Sequence, residues 1–518
     1  MSDAKHIITS KKPSFLLKAA LFVSGFSGIA AEYVLATLAS YYLGDTGFQW
    51  TITISIMLFA MGLGSRFSRL IHEKLAEAFV KIESLLSLLI ALSVPLSYVL
   101  SADRAFLAFA IYGLCIVIGF CIGIEIPLAI RINESHSNLK ENVSDMFSQD
   151  YYGALFGGLF FAFLALPYLG LGDTAILLGS LNISLAVLFA YGYRRELKQR
   201  KIKMLPVFVL LVLIFTFFKK EQLWKWGDQL RYKDPIVFSK QTPYQKIVLT
   251  EREDIHWLFI NGNQQLCTLD ESMYHEPLIH PAMHFLNGPT LSVLILGGGD
   301  GCAARELLQY ENVKDITLVD LDPEMLRLGK EHPVFLSFNK GAMNNDRVQL
   351  IADDGFRYLE FTENYYDLIV IDLPDPKSID LSRLYSKEFY KLCNRHLRAN
   401  GMLVTQAGSP YYAPEAFWCI EKTIAATGLQ TMPLHNQVLS MGEWGWVLAS
   451  KKLSREYMKQ ELRNNFAIKD EFKWINKEAI WMMSSFGKID KKQSNPKVNT
   501  LLKPVLHEYY SDGYWDMY

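Results

Sequence analysis

The chain has little of what would mark its class at a glance. Its six cysteines, Cys115, Cys121, Cys267, Cys302, Cys393 and Cys419, are scattered over 518 residues, and no two stand as CxxC. That spacing argues against a disulfide framework and a cysteine metal site, and reduced thiols fit a chain facing the cytosol. Excess charge is missing too: 52 basic and 53 acidic residues leave a net charge of -1. A nucleic-acid binder needs a basic face, so no nucleic-acid partner is expected.

Apolar sequence is plentiful, and it is unevenly placed. Seven apolar stretches lie near 15–42, 48–66, 82–101, 105–130, 152–170, 174–193 and 204–218. A crossing takes about 20 apolar residues. Six stretches qualify, and the seventh, MLPVFVLLVLIFTFF, suits a tilted span or an interfacial helix. The series is too long and repetitive for a signal peptide. The expectation is a multi-span α-helical membrane domain over 1–220, of about seven helices. It would place the protein in the cell (inner) membrane as a multi-pass chain, with the lipid bilayer as a partner. Small residues at Gly153/Gly157 and Gly119/Gly123 suit close helix packing. Glu32 falls inside the first span, where an acid is a functional hypothesis by default.

Basic residues precede the first stretch (Lys5, Lys11, Lys12) and follow the second (Arg66, Arg69, Lys74) and the sixth (Arg194, Arg195, Lys198, Arg200, Lys201, Lys203). The charge rule makes these cytoplasmic. A full crossing by the seventh stretch would then put the C-terminal half outside. The ligand chemistry below argues instead for a cytoplasmic catalytic domain.

Beyond residue 220 the chain reads as a soluble protein. IVFSK, QKIVLTE and HWLFING, with the turn Asn261-Gly262-Asn263, suggest a small β-domain over 221–285. LSVLILG, DITLVDLD, VQLIAD, YDLIVIDL and GMLVTQ then alternate with helical segments such as 302–310 and 323–331. Such alternation predicts an α/β Rossmann-like (methyltransferase-type) domain over 286–455, with ligands at the carboxyl ends of the strands. A helical extension, 456–518, is expected to follow.

Acids cluster where ligands would bind. Asp300 lies in the glycine turn GGGDG, and Asp320 and Asp322 end the second strand. Asp353 and Asp354 end the third, and Asp372 and Asp375 follow the fourth. One strand-end acid is often a helix cap. Four consecutive strand ends bearing acid make a carboxylate-lined pocket that calls for a cation. Asp300 would repel the carboxylate of S-adenosylmethionine. It would attract the ammonium of a decarboxylated form, and a polyamine would suit the other acids.

These segments resemble the spermidine synthase (polyamine aminopropyltransferase) family, in its membrane-bound multi-span branch. The resemblance is carried by GGGDG (297–301), LVDLD (318–322), DDG (353–355), IDLPDP (371–376) and PYQKIVLT (243–250). NGNQQLCTLDESMYHEPLIHP (261–281), LYSKEFY (384–390) and GEWGWVLAS (442–450) carry it further. It implies decarboxylated S-adenosylmethionine as co-substrate, no tightly bound cofactor and no metal. It implies putrescine as acceptor, spermidine and methylthioadenosine as products, and a homodimer. Asp372 would be the general base. Gln245, Asp300, Asp320, Asp354 and Gly355 would bind the donor. Tyr274, His275, Asp300 and Asp375 would line the polyamine site. Two departures bear on the acceptor and on the lid geometry: Leu373-Pro374 fill the middle of the DxxDP motif, and Lys377-Ser-Ile-Asp380 replaces a Gly-Pro segment that helps cover the nucleoside. The rival readings are a methyltransferase, which product analysis with S-adenosylmethionine as donor would separate from this one, and a polyamine transporter or sensor, which would bind without releasing methylthioadenosine.

Overall fold

A computed structural model of the chain describes residues 11–44, 46–100, 104–134, 139–487 and 495–515. The chain forms two compact units, Met1–Asp234 and Pro235–Tyr518.

The first unit is helical among its described residues. Its helices are α1 (Lys11–Leu43), α2 (Thr46–Phe67), α3 (Leu75–Leu100), α4 (Arg104–Asn133), α5 (Leu139–Phe160), α6 (Gly170–Gly192) and α7 (Arg200–Gln229). Six helical runs are long and apolar enough to cross a membrane. One of them, Leu139–Gly192, counts 54 residues. At 1.5 Å per residue it would extend roughly 80 Å, far beyond the ~30 Å of a hydrocarbon core. It is in fact two helices of opposite direction. Gly153 and Gly157 of α5 pack on Phe22 and Phe26 of α1, so those helices run parallel. Gly192 of α6 meets Leu16, and Ser27 donates to Asn182, so α6 runs against α1. The reversal falls after the π-wound segment Phe161–Leu169, at Gly170, whose φ of +72° a side chain would resist.

The other contacts extend this alternation. One apolar cluster joins Leu17, Phe79, Leu128 and Phe189, near the start of α1, the start of α3, the end of α4 and the end of α6. A second joins Leu38, Val94, Leu107 and Leu171, from the opposite ends of the same helices. Trp224, late in α7, packs against Tyr98, late in α3, with ring centroids 5.8 Å apart. Successive helices therefore reverse direction, and α7 ends at the face opposite to the start of α1. The boundary expected at 220 is displaced, because residues 221–229 complete α7. KKEQLWKWGDQ ends the apolar run but still favours a helix, so composition changes before secondary structure does.

The second unit opens with β1 (Ile236–Gln241), β2 (Lys246–Arg252), β3 (Ile255–Ile260) and β4 (Asn263–Cys267), an antiparallel sheet in that order. Asn261 and Gly262, with φ of +51° and +79°, form the tight β3–β4 turn. Helix α8 (Ser272–Met283) follows. This corrects the β reading of 221–285, since α8 packs into the core of the large sheet through Leu278, Ile279 and Ala282. Pro277 and Pro281 hid it, because each removes a helix donor and neither normally stands in a helix interior.

The large sheet comprises β5 (Leu291–Gly297), β6 (Val313–Asp320), β7 (Val348–Ala352), β8 (Tyr366–Asp372), β9 (Leu397–Gly408), β10 (Gln430–Val438) and β11 (Gly442–Ser450). Their order is β10-β11-β9-β8-β5-β6-β7. Strands β5 to β9 are parallel neighbours, and β11 runs antiparallel between β9 and β10. The five strands expected from sequence are present. Pro433 lies within β10, and it is tolerated because β10 is an edge strand. The chain reverses its winding between β5 and β8, where Gly297 pairs with Asp372. That is the switch point at which such sheets bind ligands. Helices α9 (Cys302–Leu308) and α10 (Pro323–Glu331) follow β5 and β6. The C-terminal segment forms helices at Arg455–Asn465, Lys477–Met483 and Leu506–Ser511, which close over both faces of the sheet.

Candidate active site

The strand-end acids singled out in the sequence all lie at the carboxyl ends of β5 to β8, whereas Glu32 is buried within α1 of the helical unit. The glycine turn after β5 makes that end open enough to be a site. Gly297 has a φ of +84°, and a Cβ there would meet the Asp372 carbonyl oxygen at 2.1 Å. At Gly299 a Cβ would lie 2.7 Å from Asp320 Oδ2. Only glycine lets the β5 turn close onto β8 on one side and touch the β6 carboxylate on the other.

Asp372, Asp300, His275 and Tyr274 form one linked group. The Tyr274 hydroxyl donates to Asp372 Oδ1 at 2.8 Å. His275 Nε2 lies 3.9 Å from both Asp300 Oδ1 and Asp372 Oδ2. Burial raises the Asp372 carboxyl to about 6 and the Asp300 charge adds to that, while His275 and the Tyr274 hydrogen bond pull it back. Burial works against a charged His275, but its hydrogen bond to Glu271 and the carboxylates of Asp300 and Asp372 raise it to about 9. Burial and the Asp372 charge push the Tyr274 hydroxyl well above its ordinary value, so it remains a donor. The group is thus a base poised near neutrality between a cation and a phenol.

The ring that orients it is carried by residues the sequence reading did not assign. His275 Nδ1 meets the Glu271 carbonyl at 2.9 Å, and Glu271 Oε2 lies 3.4 Å away. Arg305 clamps both Glu271 oxygens at 2.9 and 2.7 Å. Glu276 accepts the backbone N–H groups of Lys473, Trp474 and Ile475 at 2.6, 2.9 and 2.8 Å, which fixes α8. Glu271 and Glu276 flank Tyr274-His275 in ESMYHE. The i,i+4 spacing of Glu271 and His275 on a helix was the available signal, and the two prolines concealed it.

The residues expected to bind a donor lie at the β5–β7 ends and in the β1–β2 turn. Asp300 Oδ1 accepts the Cys302 N–H at 2.7 Å, and Asp320 Oδ1 accepts the Asp322 N–H at 2.9 Å. Burial raises Asp320 to about 6. Gln245 is half-buried in the β1–β2 turn. That turn is tied to the β6 end, since Thr242 Oγ1 donates to Asp322 Oδ2 at 2.8 Å. Asp354 caps the helix Gly355–Phe361 through the Arg357 N–H at 3.0 Å and pairs with Arg383, so its carboxylate already has partners. Asp375 accepts the Tyr510 hydroxyl at 2.7 Å, and its charge reaches Tyr274 as that of Asp372 does.

His275, Asp300 and Asp372 offer ligand atoms within 4.8 Å of one another, as a metal site would. With its value raised to about 9, His275 holds a proton near neutrality that a metal would have to displace. The same carboxylates are suited to an ammonium.

Comparison with known proteins gives the family. The "Spermine/spermidine synthase domain" family matches residues 271–461. Polyamine aminopropyltransferase 2 of Aquifex aeolicus is 41% identical over 500 residues, covering 96% of this chain and 98% of its own. The Polyamine aminopropyltransferase of Oceanobacillus iheyensis is 38% identical over 504 residues, covering 95% and 96%. A crystal structure of spermidine synthase in complex with the transition state analogue AdoDATO is similar at 25% identity and TM-score 0.45, over 50% of this chain and 87% of that one. On the strength of its full-length relatives, this chain belongs to the polyamine aminopropyltransferase family and is a transferase.

Proposed function

We propose that the chain moves the aminopropyl group of decarboxylated S-adenosylmethionine to putrescine, giving spermidine and methylthioadenosine. The observation that carries this reading is the Tyr274–Asp372–His275–Asp300 group at the β5/β8 switch point. The acceptor amine attacks the aminopropyl carbon bound to sulfur, and a new C–N bond forms. The C–S bond breaks, its electron pair stays on sulfur, and neutral methylthioadenosine leaves. The attacking nitrogen sheds a proton to Asp372, and Tyr274 orients that carboxylate. Asp300 faces the donor's ammonium. The sulfonium is already activated, so the protein's work is positioning and proton removal. Asp320 would hold the ribose hydroxyls, Gln245 the nucleoside and aminopropyl arm, and Asp354 with Gly355 the adenine. Full-length protein in detergent, given both substrates, should yield methylthioadenosine and spermidine by mass spectrometry. Neither product from a polyamine-binding protein would favour the transporter reading.

The helical unit is proposed to cross the cell membrane seven times. Large apolar side chains point outward on it, among them Phe59, Phe109, Phe163, Phe208 and Phe215. On ligand grounds the catalytic unit is placed in the cytosol, because a cationic metabolite does not cross hydrocarbon unaided. The alternating helices weigh against this. They put the basic segments 66–74 and 194–203 at the face opposite to the end of α7. Labelling of Leu70→Cys and Lys452→Cys, both at exposed positions, with an impermeant thiol reagent decides the matter. Protection of position 452 in intact cells fits a cytosolic site, and its labelling without that of position 70 reverses the orientation. A homodimer is proposed on family likeness, to be checked by light scattering.

A further inference from the structure

Resting on the aminopropyl-transfer reading, we propose that Lys377 is an internal counter-cation on Asp375, displaced by the acceptor's second ammonium, and that this exchange sets acceptor specificity.

Four observations converge on this side chain. Lys377 Nζ lies 3.6 Å from Asp375 Oδ2, the oxygen that also accepts Tyr510. The same ammonium donates to Asn263 Oδ1 in the β3–β4 turn at 2.9 Å. It also faces the Tyr510 ring, 5.6 Å from the centroid. Its side chain is 37% exposed, whereas that of Asp375 is 11% exposed. A part-exposed ammonium held loosely between two acceptors can be displaced, and such pairs are weak. The carboxylate it covers is fixed and sheltered.

Tyr510 supplies the fixed part. It comes from the helix Leu506–Ser511, stacks on Trp515 with centroids 4.7 Å apart and is 4% exposed. Burial and the Asp375 charge raise its hydroxyl well above the ordinary value, so it keeps its proton and donates. Asn499 ties the same segment to the loop beyond Asp375, donating to the Ser382 and Tyr385 carbonyls at 2.8 and 3.1 Å. The tail thus holds Asp375 in place, and Lys377 screens it. A diamine arriving with one amine at Asp372 brings a second cation to Asp375. That cation replaces Lys377, which keeps Asn263 as its partner. A monoamine brings no such cation and leaves Lys377 where it is.

The test compares Lys377→Ala with the full-length wild-type enzyme on 1,4-diaminobutane and 1-aminobutane, at saturating donor. The KM for the diamine should fall about three- to five-fold in the variant, the range expected on removing a weak competing ion pair. The KM for the monoamine should hold still. A diamine KM that is unchanged or higher, or equal shifts for both amines, overturns the proposal. Tyr510→Phe gives a second reading: the diamine KM should rise with the donor KM constant, and an unmoved diamine KM counts against the fixed role of Asp375. A wild-type enzyme that releases no methylthioadenosine with the diamine would instead overturn the reading of the site, and the exchange with it.

Discussion

The two sides of the site hold their carboxylates in different ways. On the donor side, Asp300 and Asp320 are gripped by backbone N–H groups two residues further along, at 2.7 and 2.9 Å. On the acceptor side, Asp372 and Asp375 are held by phenols 98 and 135 residues away, at 2.8 and 2.7 Å. Local capping freezes a carboxylate with its own turn, whatever the rest of the chain does. A distant phenol ties the carboxylate to the packing of another element. On the proposed assignment, the donor side suits one constant ligand, whereas the acceptor side can be retuned by changing α8 or the C-terminal tail.

The largest effect should come from Asp372, where the two sides meet. Asp372→Asn keeps the shape and the Tyr274 contact but removes the base. Turnover should fall roughly 10²–10⁴-fold, the usual contribution of a general base. Methylthioadenosine binding, measured by calorimetry, should stay near wild type. Near-normal turnover would take Asp372 out of the proton step.

Asp320→Asn should sharpen the division. A charge-assisted hydrogen bond contributes about 1.5–3 kcal/mol, so the donor KM should rise by roughly one to two orders of magnitude. The acceptor KM should not follow. If both constants rise together, the sides are coupled and the division fails.

The acid limb of the rate profile gives a smaller effect that spans both sides. Asp372 must be ionised to take a proton, so activity should be lost as pH falls through about 6. His275 lowers that value by its charge. His275→Gln should therefore move the limb to higher pH; a limb that stays put would mean His275 is neutral in the working enzyme. The stability that His275 gains from its acidic partners has the opposite sign. Its value is raised from 6.5 to about 9, so this stability is full below the unfolded value and is lost as pH rises through 9.

The same local-versus-distant contrast explains what could be read in advance. Strands β5 to β8 are short apolar runs ending at or just before glycine or acid, and β9 holds the apolar run GMLVTQ, so each is legible by itself. So was the ring of acids at their ends. Helix α8 was not, because Pro277 and Pro281 contradict helix in the local sequence and only packing against the sheet overrides them. The roles of Arg305, Tyr510 and Lys377 were likewise hidden. Nothing near Arg305 in sequence points to Glu271, and nothing near Tyr510 points to Asp375. Lys377 stood out as a departure from the family pattern, but its partner Asn263 is 114 residues away.

Thr242 is where the contrast can be tested most finely. It is 7% exposed in the β1–β2 turn, and its hydroxyl does two jobs. The oxygen accepts the N–H groups of Tyr244 and Gln245 at 3.1 and 3.0 Å, which shapes the turn locally. The proton goes to Asp322, which anchors that turn to the end of β6 across 80 residues. Thr242→Val keeps the volume and removes all three bonds. Each neutral hydrogen bond contributes about 0.5–1.5 kcal/mol, so a donor KM raised about five- to ten-fold is expected, with kcat and acceptor KM little changed. Thr242→Ser should restore the wild-type value, since it returns the hydroxyl without the methyl. Failure of serine to rescue would assign the effect to packing, and the Gln245 turn would then owe its place to the sheet rather than to Asp322.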